Sequence, residues 1–370
     1  MVLRRSFGCE GIGLYTMDLR QKIAEYKTSS EWQPGISRLE FYMSARKRAI
    51  AFLCSTFLTT LALPADAVDA ARKAAMEAEL VKLNSMLKAN PDDATQYFTR
   101  GCVYRVLEKW DLASQDFTAT IERKSHDWQD EAYEGRGICR MQLGLYRDAL
   151  SDFNFALKLN AGLFEARKNR AYLLFRMGYP ARALPEINAL LAMSKYQHDP
   201  QLHLYRAKVN YALKNYAGAL ADANAVLAVD KTNVDAGEER ARVLLAQNKQ
   251  AQAMTELTEL IARSPKRGSL WGLVSLVHYG ARDYKQTILN SGKAYELGYY
   301  SAELLAACAD SYGRVGEMEN SINSANEAIK MNPAIGLAYL ARGRAYRSLK
   351  KLELARADLD KASKLGYRDQ

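Results

Sequence analysis

The side chains that could do chemistry are few and poorly spaced for it. The chain has 370 residues and four histidines, at His126, His198, His203 and His278. His198 and His203 stand five apart across Pro200, so they do not share a helix face at the i, i+4 interval of a helical metal pair. Surface histidines are the simpler reading, and no metal site is expected. Gly135-Arg136-Gly137 follows no strand, so it is not a phosphate loop. No GxSxG, HExxH or GxxxxGK[ST] signature occurs. The expectation is a protein with no catalytic residue and no cofactor.

The ionisable residues fall instead into a repeating order. Units begin at Ala94, Asp130, Phe164, Pro200, Val234, Gly268, Ala302 and Gly336, at steps of 34 or 36 residues. The seventh place holds Arg100, Arg136, Arg170, Arg206, Arg240 and Arg342. The twenty-third holds Asp116, Asp152, Glu186, Asp222, Glu256 and Asp358. In the sixth unit both places change, to Val274 and Asn290. In the seventh both change again, to Cys308 and Ser324. Arginine and acid are thus kept or lost jointly. A partly buried charge left alone costs several kcal/mol, so each arginine is expected to meet its own unit's acid in a structural ion pair.

Two helices must hold each pair. The second unit, DEAYEGRGICRMQLGLYRDALSDFNFALKLNAGL, is one helical pattern, a break at Gly144, and a second helical pattern. The eighth place is small throughout: Gly101, Gly137, Ala171, Ala207, Ala241, Ser275, Ala309, Gly343. So is the twentieth: Ala113, Ala149, Ala183, Ala219, Ala253, Thr287, Ser321, Ala355. Antiparallel helices approach closely only where both contact points lack bulk. Tyr104, Tyr312, Tyr346, Phe117 and Phe153 are expected to fill the gaps around those contacts. Pro265 and Pro333 end second helices. Such hairpins cannot bury their apolar faces alone and must stack.

The period, the two small columns and the aromatics between them resemble the tetratricopeptide repeat. The departures are specific. The fourth place is tryptophan only at Trp271, and the closing proline is present only in the fifth and seventh units. The resemblance implies an all-α fold, a right-handed superhelical solenoid of about eight helix-turn-helix repeats over residues 94–370. A lone helix over residues 68–91, with Leu80, Leu83, Met86 and Leu87 at helical spacing, would cap its open end.

The resemblance also implies a groove lined by the second, fifth, ninth, twelfth and thirteenth places of the first helices. In mid-chain these are Ile138, Met141, Lys168, Tyr172, Phe175, Arg176, Leu204, Lys208, Tyr211, Arg242 and Leu245. This is an apolar and aromatic strip edged by cations. Exposed aromatics in a groove mark a partner. The expected ligand is an extended peptide or short helix with apolar and some acidic side chains. Packing between adjacent units is the alternative use of these residues. Lys168 fits one place of a carboxylate-gripping groove, but Tyr172 stands where its asparagine would be, so a chaperone-tail function is not implied. The sixth and seventh units put Gly272, Gly280, Ala306 and Gly313 on the inner wall, with Trp271, Tyr279, Tyr284, Tyr295, Tyr299 and Tyr300 nearby. That wall fits either a closer-lying partner or a softer joint.

The net charge is +10, mild and interspersed, of which residues 1–67 supply +3. It gives little support to nucleic acid, and the groove places lack the regular base-reading pair of RNA-binding repeats. Residues 43–67, MSARKRAIAFLCSTFLTTLALPADA, have the layout of a signal peptide: Arg46, Lys47 and Arg48, an apolar run over 49–63, then a small-x-small exit. The run is shorter than the ~20 residues of a spanning helix. A buried helix or an uncleaved membrane anchor is the alternative. Residues 1–42 are an upstream extension, and either Met43 is the true start or a cytosolic segment precedes an anchor. Export to a bacterial periplasm is expected. Loss of 1–67 would remove Cys9 and Cys54 and leave Cys102, Cys139 and Cys308. Cys102 and Cys139 lie in neighbouring first helices and could pair only if their side chains converge; at least one buried thiol should remain. The expected function is a non-catalytic scaffold or adaptor that binds a protein or peptide partner, with no small-molecule substrate. The rival is an accessory subunit of an envelope enzyme.

Overall fold

The structure is a computed structural model that describes residues 65–124 and 127–368, with side chains from Lys73 onward. The upstream extension, residues 43–64 of the signal-type segment, Cys9, Cys54 and His126 lie outside the described residues. Among the described residues there are seventeen helices and no strand. A long helix, α1 (Ala65–Ala89), precedes eight pairs. These are α2 (Ala94–Val106) with α3 (Trp110–Glu122), α4 (Gln129–Gln142) with α5 (Tyr146–Leu159), α6 (Phe164–Arg176) with α7 (Pro180–Leu191), and α8 (Pro200–Ala212) with α9 (Tyr216–Val229). Then come α10 (Val234–Ala246) with α11 (Gln250–Arg263), α12 (Gly268–Gly280) with α13 (Tyr284–Glu296), α14 (Ala302–Val315) with α15 (Met318–Met331), and α16 (Gly336–Ser348) with α17 (Leu352–Lys364). Every first helix but α4 starts where its unit starts; α4 starts one residue earlier, at Gln129. Helix α1 starts three residues before the expected 68 and takes in Ala65-Asp66-Ala67, a short alanine-rich turn that favours helix.

Contacts divide the chain into two compact units. One ends at Lys109 and adds Ala119–Trp128; the other is Trp110–Thr118 with everything from Gln129 on. In the first, Leu80 and Leu83 of α1 bury against Val103 of α2, and Phe98 stacks on Trp128 with ring centroids 4.7 Å apart. In the second, residues from Gln129 on form a superhelical solenoid of seven hairpins.

Local chemistry sets the hairpin. Asp199, Asn233 and Ser301 accept from backbone N–H groups at the starts of α8, α10 and α14, which satisfies donors that have no partner inside the helix. The fifteenth place of all eight units is left-handed, with φ between 57° and 93°. It closes the first helix and turns the chain. Gly144, Gly178 and Gly316 adopt this freely; residues such as Lys214 and Arg282 adopt it at a cost of about 1 kcal/mol.

The small columns are buried in every described hairpin. At two of the glycines the close neighbour is the twenty-fourth place. A Cβ on Gly137 would lie 2.9 Å from the Phe153 ring, and one on Gly343 would lie 3.0 Å from Leu359. Each core is shared between consecutive hairpins. Ala171 and Leu174 of α6, Ile187 and Leu190 of α7, and Leu202 and Val209 of α8 form one cluster. First helices touch the next hairpin's first helix along most of the solenoid, whereas successive second helices meet far less. The first-helix layer therefore lies on the inside of the curve.

Candidate binding groove

The arginine and acid columns converge across five of the hairpins. Arg136 Nη2 lies 2.8 Å from Asp152 Oδ1, Arg206 Nη2 lies 2.7 Å from Asp222 Oδ1, Arg240 Nη2 lies 2.8 Å from Glu256 Oε1, and Arg342 Nε lies 2.7 Å from Asp358 Oδ2. Arg170 meets Glu186 in the same way. In the other compact unit, Arg100 donates to Asn84 Oδ1 at 2.7 Å. Asp116 is buried. Asp222 is 3% exposed and also takes the side chains of His203 (3.0 Å) and Asn210 (3.3 Å). His203 is therefore half-buried and hydrogen-bonded, which corrects the expectation of a surface histidine.

A third column went unread. The second Nη of each arginine reaches back to the previous hairpin's second helix. Arg136 donates to Thr118 Oγ1 at 3.1 Å, Arg170 to Asn154 Oδ1 at 3.0 Å, and Arg206 to Asn188 Oδ1 at 2.9 Å. Arg240 donates to Asn224 Oδ1 at 3.4 Å and Arg342 to Asn326 Oδ1 at 2.6 Å. Each guanidinium therefore joins three helices. The signal was present: the twenty-fifth place is polar in seven units, at Thr118, Asn154, Asn188, Asn224, Thr258, Asn326 and Asp360, and is glycine in the sixth, at Gly292.

The expected groove residues separate by chemistry. Leu204 is 4% exposed and packs with Val226, Leu227 and Ala236, so it does not line the groove. Ile138 and Met141 pack on the Ala149–Phe153 core, Phe175 on the Ile187 core and Leu245 on the Leu257 core. Inter-hairpin stacking claims these apolar side chains, because burial is worth about 25 cal/mol per Å². The amphipathic residues stay at the surface. Lys168 (2.6 Å from Glu165), Tyr172, Arg176 and Lys208 are exposed; Tyr211 and Arg242 are half-buried. The Tyr172 ring lies 5.8 Å from Tyr205, which lies 5.8 Å from Phe175. The Tyr205 hydroxyl donates to Ala171 O at 2.9 Å, and burial raises its pKa. The expected shallow wall of the sixth and seventh units is filled at two of its four places, while Gly313 lines a cavity with Asp310, Arg314 and Arg344. Gly272 accommodates the Tyr299 ring, and Ala306 is core.

Beyond the strip, Arg242 Nη2 donates to Glu238 at 3.0 Å, and Arg267 Nε and Ser269 Oγ donate to the same carboxylate at 2.7 and 2.8 Å. Asp310 accepts from Tyr279 (3.2 Å) and Arg344 (3.3 Å). Cys102, Cys139 and Cys308 are thiols. Burial raises the pKa of Cys308, which faces the hydroxyls of Ser291, Tyr295, Ser324 and Tyr312. Among the described residues no cluster of three or more His, Cys, Asp or Glu could hold a metal ion, and no helix is long and apolar enough to cross a membrane.

A tetratricopeptide repeat model matches residues 168–235 and 307–366. Tetratricopeptide repeat protein 16 of Homo sapiens is 23% identical, covering 54% of this chain; the chain spans 29% of that protein's length. A tetratricopeptide repeat protein from Parabacteroides merdae superimposes with a TM-score of 0.61 at 16% identity, over 68% of this chain and 98% of its own. Yeast Tom70 superimposes with a TM-score of 0.50 at 14% identity, over 87% of this chain and 75% of its own. Residues 168–235 and 307–366 thus match the tetratricopeptide repeat, and the solenoid has the fold of tetratricopeptide repeat proteins.

Proposed function

We propose that the protein is a non-catalytic scaffold that binds a partner polypeptide along the inner face of its first helices. The observation that carries this reading is Tyr172. It is a large aromatic side chain on the inner layer, 42% exposed, continuous with Tyr205 and flanked by Lys168, Arg176 and Lys208. Core packing has taken the apolar neighbours and left this residue. Aromatic and arginine side chains dominate binding hot spots because they bury large area with little loss of freedom. Repeats of this family generally mediate contacts between proteins. Export is part of the proposal and rests on residues 43–67, with attachment through residues 49–63 as the alternative.

A photo-crosslinker at Tyr172 or Tyr211 tests the groove. A discrete polypeptide should be captured from both, and not from Val229, an outward site on α9 that is 88% exposed. Equal capture from Val229 would overturn the reading. The native protein's N-terminal mass tests export: a start near Val68 supports cleavage, and a peptide from Gly11–Lys22 opposes it.

A further inference from the structure

Resting on the groove reading, we infer that Arg176 anchors a carboxylate of the bound segment, so that the partner is an acidic polypeptide with apolar residues beside its acids. Arg176 ends α6 and is exposed. Its guanidinium lies 5.2 Å from the ring centroid of Tyr146 and 5.9 Å from that of Tyr172. Tyr146 belongs to the preceding hairpin, so two consecutive hairpins hold the group. A guanidinium flanked by two rings has lost much of its rotamer freedom before a ligand arrives, while its N–H fork stays open to solvent.

Other arginines on these first helices already face acids of this chain. Arg140 meets Asp152 at 2.8 Å, Arg242 meets Glu238 at 3.0 Å, and Arg314 meets Asp310 at 3.5 Å. Arg176 has no carboxylate within 4 Å among the described residues. Lys168, two turns earlier on α6, and Lys208 on α8 are exposed cations on the same face. Tyr172 and Tyr205 lie between them as an apolar strip. The site thus offers one two-pronged donor, flanking positive charge and aromatic area. That set matches a carboxylate with apolar neighbours.

The test uses the full chain and two labelled peptides, one alternating glutamate with leucine and one with glutamine in place of each glutamate. Fluorescence anisotropy should show the glutamate peptide binding roughly tenfold tighter, the loss expected when a charge-assisted hydrogen bond is removed. Its affinity should fall as salt rises. Arg176→Gln should bring the glutamate peptide to the glutamine level with circular dichroism and Tm unchanged. Arg176→Lys, which keeps charge without the fork, should restore only part of the difference. Arg182→Gln on α7 should change nothing. If Arg176→Gln keeps the discrimination, or the native chain binds both peptides equally, the inference falls and the groove reading stands. If neither peptide binds, the inference falls, and crosslinking from Tyr172 judges the groove separately.

Discussion

The fourth hairpin and the sixth solve the same stacking problem differently. In the fourth, Arg206 on α8 holds Asp222 on α9 and Asn188 on α7, so one side chain fixes the hairpin and its seat on the previous one. In the sixth, Val274 takes the arginine's place and joins an apolar core with Leu257 and Leu270. Asn290 turns back to its own helix at Gln286 O, and Ser275 pairs with Ser291 at 2.8 Å. The seventh hairpin also lacks the clamp, and a buried thiol stands there among hydroxyls. The hairpin therefore does not need the arginine to form. What the arginine adds is a polar tie across the junction. Where it is missing, other ties cross the junction: Glu238 with Arg267 and Ser269 between the fifth and sixth hairpins, and Tyr279 with Asp310 between the sixth and seventh; a similar tie, Asp310 with Arg344, accompanies the clamp between the seventh and eighth.

The most damaging way to break the comparison is Asp222→Ala. It strands Arg206, His203 and Asn210 around a site that was 3% exposed. The loss should be about 3–5 kcal/mol by urea unfolding. Arg206→Ala alone and the double variant complete a cycle, and a coupling above about 1 kcal/mol is expected. Additive losses would mean that the pair is incidental. Next in size is the attempt to install the clamp where it is missing. Val274→Arg alone places a charge in an apolar core and should cost about 3 kcal/mol. Adding Asn290→Asp should return at least ~1 kcal/mol of it. A double variant no better than the single would show that the sixth hairpin's geometry has diverged as well as its residues.

Much of the fold was legible because the period repeats eight times and small residues recur in phase. The joint loss of arginine and acid at Val274 and Cys308 pointed to a contact between two helices sixteen residues apart. The twenty-fifth-place column, asparagine in four units and threonine in two, was missed, because that contact crosses to a different repeat and nothing within one unit demands it. The groove was less legible. Leu204 and Tyr172 occupy candidate inner places alike, and only three-dimensional packing decides that a leucine goes into the junction while a tyrosine remains at the surface. The fifteenth place was hidden for another reason. Lys214 and Arg282 take the left-handed conformation at Gly144's place, and their side chains give no sign of it.

Removing the far end of the clamp should have a smaller effect. Asn188→Ala deletes an exposed acceptor and leaves the Arg206–Asp222 pair in place. One net hydrogen bond is worth about 1 kcal/mol, and solvent can replace an exposed acceptor, so the loss should be that or less. A loss equal to that of Asp222→Ala would mean that the junction, not the hairpin, carries the clamp's stability.

The smallest expected effect sharpens the contrast between a buried acid held by close hydrogen bonds and one whose cations stand further off. Glu239 is 5% exposed, yet its nearest cations, Arg242 Nε and Lys208 Nζ, stand off at 3.6 and 3.9 Å. Burial raises its pKa, outweighing the opposite pull of Arg242 and Lys208. A carboxyl whose pKa is higher folded than unfolded favours the fold while protonated, and that contribution is lost as pH rises through the folded value. Glu239→Gln stays neutral throughout, so it should raise Tm slightly at pH 7. The gain should shrink as pH falls and vanish once the native carboxyl is protonated in both states, below about pH 4. Thermal melts of both proteins across that range decide it. A lower Tm for the variant at pH 7 would show that Arg242 and Lys208 satisfy Glu239 as fully as Arg206 satisfies Asp222, and a gain independent of pH would place its origin outside the titration of Glu239.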